Sequence, residues 1–151
     1  VKRSEKVAML NTILVALDVD HDPLANQVMQ TLQHLHLEQT TTVILAYVIS
    51  ATQTDVEIAV DRPQANLEGF PHDRIDKQLH GYQKALPCQS EIEIVMGEPV
   101  EEILRLANIY KTDLILIGSR GLTGMQKILL GSVSSQIVTD APCSVLVVKP
   151  R

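Results

Sequence analysis

The sequence predicts an α/β domain with a mostly parallel sheet, and three observations carry that reading. Short aliphatic runs alternate with helical patterns at the spacing of successive strand–helix–strand crossovers. Most of these runs are near-continuous Val, Ile and Leu, as in strands covered on both faces. The core must also be aliphatic, because 45% of residues are hydrophobic but only 3% aromatic, with no Trp. A chain of 151 residues suits one domain with a real core.

The first run is Thr12–Leu17 (TILVAL). Asp22-Pro23 then caps and starts a helix that sets Leu24, Val28, Leu32 and Leu35 on one side. The second run is Thr42–Ile49 (TVILAYVI). Ala51 to His72 contains Arg62-Pro63 and Gly69-Phe70-Pro71 and reads as a surface loop or partial lid. Asp73 to Leu86 keeps Ile75, Leu79, Tyr82 and Leu86 in helical register, with Gly81 inside it. The third run, Glu91–Val95, alternates Glu and Ile, so one face meets water and the strand is edge-like.

Glu98-Pro99 opens the clearest helix. Pro99 suits the first turn, Glu101 and Glu102 suit its positive end, and Val100, Ile103, Leu104 and Ala107 form its apolar stripe. Leu114–Ile117 is the fourth run. After Gly131, Ser132 begins a fourth helix that Pro142 terminates, and Ser144–Val148 (SVLVV) is the fifth run.

Composition narrows the function classes. With 13 basic against 18 acidic residues the net charge is −5, which leaves no broad basic surface for nucleic acid. No run is long enough to span a membrane, and no signal-peptide pattern is present. Cys88 and Cys143 form neither a C-x-x-C pair nor a disulfide framework, as expected of reduced thiols in a cytoplasmic protein. Residues 1–8 (VKRSEKVA), ahead of Met9, read as a disordered tail or non-native extension, with the domain at 9–151.

The segment from Gly118 to Ser135, GSRGLTGMQKILLGSVSS, carries the chemistry. Gly118 and Gly121 let the backbone take positive φ and approach a ligand without a Cβ in the way. Successive amides in such a turn make an anion-binding concavity. Gly131-Ser132 supplies a helix N-terminus whose free N–H groups favour a phosphate, and Ser132 and Ser134 add hydroxyl donors. The nine residues from Leu122 to Leu130 form a flap, with Arg120 or Lys127 near the phosphates. On spacing alone, glycines that only turn and serines that only cap explain the segment equally well. It is neither a Walker A loop nor a G-x-G-x-x-G dinucleotide fingerprint.

The pattern Gly118-x2-Gly121-x9-Gly131-Ser132 resembles the ATP-binding signature of the universal stress protein family. The opening Ile13-Leu-Val-Ala-Leu-Asp18, the Tyr47-Val48-Ile49 strand end and the Gly97-Glu98-Pro99 turn are similar too. So are Asp113 to Gly118 and the closing Pro142 to Lys149. The resemblance implies a single-domain, three-layer, five-stranded parallel sheet of order 3-2-1-4-5, and a homodimer through strand 144–148. It implies ATP, with Mg²⁺ or Mn²⁺ on the triphosphate, held by a cytoplasmic stress-response switch or sensor with at most slow hydrolysis. Ala16 and Asp18 then stand beside adenine and ribose, and Val48 contacts adenine. Gly118, Gly121, Gly131, Ser132, Val133 and Ser134 form the phosphate cradle. Where the family often has a small pair, Val19-Asp20 follows Asp18, and this extra acid calls for a divalent cation beside a triphosphate. AMP or cyclic AMP in the same cradle, an Asp18-dependent phosphotransferase and a ligand-free interaction module are the alternatives.

Asp18 to Asp22 is not an EF-hand loop, because Pro23 and Met29 occupy its glycine and bidentate-Glu positions. His34 and His36 point to different sides of any helix, so they do not pair on a metal. His72 and His80 lack the neighbours of a zinc site, and no Ser-His-Asp order or G-x-S-x-G elbow supplies a catalytic group.

Overall fold

The computed structural model describes residues 10–19, 22–50, 71–119 and 132–150. The expectations for the first eight residues, for most of the 51–72 loop and for the flap with Arg120, Gly121, Lys127 and Gly131 lie outside these residues. The elements are β1 (Thr12–Ala16), α1 (Asp22–His34), β2 (Thr42–Ser50), α2 (Pro71–Lys84), β3 (Gln89–Gly97), α3 (Pro99–Ile109), β4 (Leu114–Gly118), α4 (Ser132–Asp140) and β5 (Ser144–Val148). The strands form one sheet of order β3-β2-β1-β4-β5, and every pairing is parallel.

Period-two alternation divides the strands between two cores. Ile13, Val15 and Leu17 face Val28 and Leu32 of α1 and Ile75 and Leu79 of α2. On the other side Leu14 joins Ile44, Ile115 and Ile117 under Ile103, Leu106 and Ala107 of α3 and Ile137 of α4. Most of these side chains are fully buried, which is why the central strands are continuous aliphatic runs. Leu106 is absent from the stripe expected for α3, whereas Val100 and Leu104 of that stripe are only partly buried.

Several element ends differ from the sequence reading by one or two residues, and two of these differences have a clear physical reason. The 51–72 loop ends earlier than expected, because Pro71 and His72 already belong to α2. Proline with its fixed φ suits a first helical turn. β3 extends beyond 91–95 because it pairs with all of β2, from Thr42↔Gln89 to Ser50↔Gly97. Its Glu face does meet a polar neighbour, since the Tyr110 hydroxyl donates to the Glu93 carboxylate. That bond, with burial, holds the Tyr110 proton well above the usual phenol range.

Local polar contacts fix the strand ends. Asp113 Oδ2 accepts the N–H groups of Asn11 and Thr12, both at 2.9 Å, while the Asp113 N–H donates to the Thr12 carbonyl at 2.9 Å. These three bonds set the start of β1 beside the start of β4. On the outer face of α1, the Tyr82 hydroxyl of α2 donates to Asn26 Oδ1 at 2.9 Å.

α3 starts on Glu98, whose carboxylate accepts the Glu101 N–H at 3.0 Å, and ends in a left-handed cap. Lys111 sits at φ 49°, and the Thr112 N–H reaches back to the Ala107 carbonyl at 2.9 Å. A side chain at that φ costs roughly 1–2 kcal/mol, partly offset by the extra unfolded-state freedom of glycine. Lys111→Gly is therefore expected to stabilise the fold by roughly 0.5–1 kcal/mol and raise Tm by about 2 °C in thermal melts.

Candidate functional site

At the carboxyl edge of the sheet a cleft of about 630 Å³ opens where the strand order reverses, between β1 and β4. Among the described residues its α3 side is lined by Ala16, Ala46, Val48, Ile117, Pro99, Ile103 and Val133. Its α1 side is lined by Leu17, Leu24, Ala25, Val28 and Tyr47, and Asp18 and Gly118 stand at the strand ends. Register explains the slot on the α3 side: Ala16 is flanked by Ala46 on β2 and Ile117 on β4. Two alanines under Pro99 and Ile103 leave a flat apolar space where larger residues would fill it.

Main-chain groups supply polarity. The Thr42 N–H bonds the Asn11 carbonyl at 2.8 Å, and the Leu17 N–H bonds the Ala46 carbonyl at 2.9 Å. Even-numbered residues of β2 thus turn their peptide groups towards β1. β1 ends at Ala16 while β2 continues to Ser50. Val48 therefore presents a donor and an acceptor beyond the end of β1, over the apolar slot.

Gly118 contributes an acceptor. The Ser119 N–H donates to the Val148 carbonyl of β5 at 2.8 Å. In a planar trans peptide the carbonyl points the opposite way, so Gly118 C=O turns towards the end of β1 and Asp18. The space that a Cβ at Gly118 would take is also not open to a ligand: Leu24 Cδ2 lies 2.8 Å from that position. This corrects the expectation that the glycine leaves room for phosphate; it leaves room for Leu24.

Among the helices that begin at this edge, α3 and α4 have contrasting ends. α3 carries Glu98 as its cap and Glu101 and Glu102 in its first turn, so its positive end is already matched by acid. α4 begins at Ser132 with no acid in its first turn, and its Val133 borders the cleft. The positive end of α4, unlike that of α3, is therefore not matched by acid from its own first turn. Ser134 is 1% exposed, and its hydroxyl donates to the Ser119 carbonyl at 3.4 Å, which ties the start of α4 to the end of β4.

Of the residues singled out from sequence, Ala16, Asp18, Val48, Gly118 and Val133 meet in this cleft, while Ser132 and Ser134 lie on the same helix start. Leu24, Ala46, Pro99, Ile103 and Ile117 also line it without having been assigned there. Each stands at or just beyond the carboxyl edge of the sheet or on a helix bordering it, and this common position is the signal that locates them. Cys88 and Cys143 are half-buried free thiols. Burial pushes both upward, with the Asp113 charge adding at Cys143, so neither is an activated nucleophile. No group of three metal-ligating side chains occurs among the described residues.

A scan against protein families matches residues 9–149 to the model of the universal stress protein family. The universal stress protein Sll1388 of Synechocystis is 28% identical over 152 residues, covering 91% of this chain and 96% of that protein. The universal stress protein MJ0531 of Methanocaldococcus jannaschii is 47% identical over 57 residues, a stretch covering 38% of this chain and 34% of MJ0531. Among solved structures, that of MJ0577 superposes with a TM-score of 0.78 at 27% identity, covering 95% of this chain and 98% of that one. A universal stress protein crystallised with cAMP gives a TM-score of 0.65 at 25% identity, covering 94% and 98%. An Arabidopsis thaliana family protein with AMP bound shares the fold at 18% identity, with a TM-score of 0.60 and coverage of 93% and 92%. The chain belongs to the universal stress protein family.

Proposed function

We propose that this chain binds an adenine nucleotide, ATP by preference, and works as a dimeric nucleotide-dependent switch or sensor in a stress response. One observation carries this reading. The Val48 peptide groups, an apolar slot, and two acceptors (Asp18 and Gly118 C=O) converge at one sheet edge. A purine inserts in the slot and pairs its edge with Val48. The sugar hydroxyls donate to Asp18 and Gly118 C=O, and the phosphates extend to the start of α4 and to Gly121, Gly131, Arg120 and Lys127. Gly118 thereby serves the sugar in place of the phosphate role that the resemblance assigns it.

The donor set fits a cation that arrives with the nucleotide. Asp18 is the one carboxylate among the described lining residues, and Mg²⁺ characteristically combines one or two carboxylates with substrate phosphates. Bound there, Mg²⁺ or Mn²⁺ would neutralise phosphate charge beside Asp18. The role proposed is binding, with at most slow hydrolysis.

A second reading, AMP or cyclic AMP in the same slot, is supported by the relatives crystallised with those ligands. Acid extraction of the purified protein with mass spectrometry, followed by calorimetry with ATP, AMP and cyclic AMP, separates the two. ATP is expected to bind about tenfold or more tightly than the others in Mg²⁺. Equal or tighter binding of AMP or cyclic AMP replaces the ATP reading with the second, and no binding removes both.

A further inference from the structure

Leu24 is a buried aliphatic residue, 6% exposed, that belongs to neither packed core cluster. It borders the cleft from the first turn of α1. Its Cδ2 and Cγ lie 2.8 and 2.9 Å from the position a Cβ on Gly118 would occupy, so the glycine Cα packs directly against it. The neighbouring peptide is pinned from another direction, because the Ser119 N–H is held at 2.8 Å by the Val148 carbonyl. Gly118 is thus gripped between α1 and β5, and its carbonyl is what it offers to the cleft.

We propose that Leu24 is a positioning residue: it holds the Gly118 carbonyl as an acceptor for sugar hydroxyls and so sets a preference for ribose over sugars lacking those hydroxyls. This rests on the nucleotide-binding reading above and adds to it a residue that touches the glycine, with no contact to the nucleotide required. Without the leucine wedge the Gly118 peptide can relax towards α1. A misaimed carbonyl weakens a hydrogen bond steeply, whereas the apolar slot and Val48 remain in place.

Calorimetry with ATP and with 2′,3′-dideoxyATP, each in Mg²⁺, on the parent, Leu24→Ala and Leu24→Met proteins tests this. The parent is expected to bind ATP about tenfold or more tightly than the dideoxy nucleotide. Leu24→Ala is expected to lose about tenfold for ATP and less than about twofold for the dideoxy nucleotide, erasing the preference. Leu24→Met, which refills the space, is expected to restore it. If Leu24→Ala does not fold, Leu24→Val makes the same comparison with less volume lost. Equal losses for both nucleotides, or an undiminished preference, overturn the positioning role. A parent that binds both nucleotides equally overturns it while the nucleotide reading stands, and a parent that binds neither overturns both.

Discussion

Replacing Ala16 by phenylalanine is expected to weaken adenine-nucleotide binding at least about 100-fold, or about 2.7 kcal/mol, without unfolding the protein. Ala16 is the last residue of β1 and forms the floor of the slot, between Ala46 and Ile117. It is only partly buried, so a ring placed there extends into the cleft and spares the packed core from overpacking. A planar base and a phenyl ring cannot share that space. The variant should keep its circular dichroism spectrum and a Tm within a few degrees of the parent, while calorimetry shows the loss. Ala16→Ser, which adds one atom, should stay within about threefold. Undiminished affinity in Ala16→Phe would falsify the slot; a collapsed Tm would mean that the space belongs to the core.

The fold was legible because burial on both faces writes itself into composition. Leu114 to Ile117 reads as a central strand from four residues alone, and the structure places it between β1 and β5. The pattern of β3 is shorter than the strand itself because its side chains are only partly covered. Its flanking Gln89, Ser90, Met96 and Gly97 join the strand through pairing with β2, and pairing leaves little trace in hydrophobic pattern. The cleft was half legible. Asp18 and Val48 follow from ending a strand at the carboxyl edge, since any residue there borders the crevice. The reason for Gly118 was not, because the Leu24 side chain that takes its Cβ space comes from a distant part of the chain. A glycine kept for packing and a glycine kept for a ligand look identical in one dimension. The orientation of the peptide between Gly118 and Ser119 is hidden for a similar reason: it depends on Val148, which no local motif connects to it.

Val147→Glu is expected to raise the dissociation constant of the proposed dimer at least about 100-fold, about 2.7 kcal/mol, as read by sedimentation velocity across concentration. The argument begins with the two edges of the sheet. β3 carries Glu91 and Glu93, and charge on an edge strand discourages pairing with another chain. β5 reads SVLVV, with neither charge nor proline, and it pairs with β4 alone among the described strands. Val145, Leu146 and Val147 are each only half-covered. Such an edge invites a second copy, and a two-fold contact brings every substitution in twice. Two carboxylates introduced beside half-buried valines must be desolvated without partners, which reverses the balance that favours association. Because Val147 does not line the cleft, nucleotide affinity of the resulting monomer measures whether the site is complete within one chain. An unchanged dimer in Val147→Glu moves the contact away from β5, and a matching charge reversal on β3 would then be the next surface to measure.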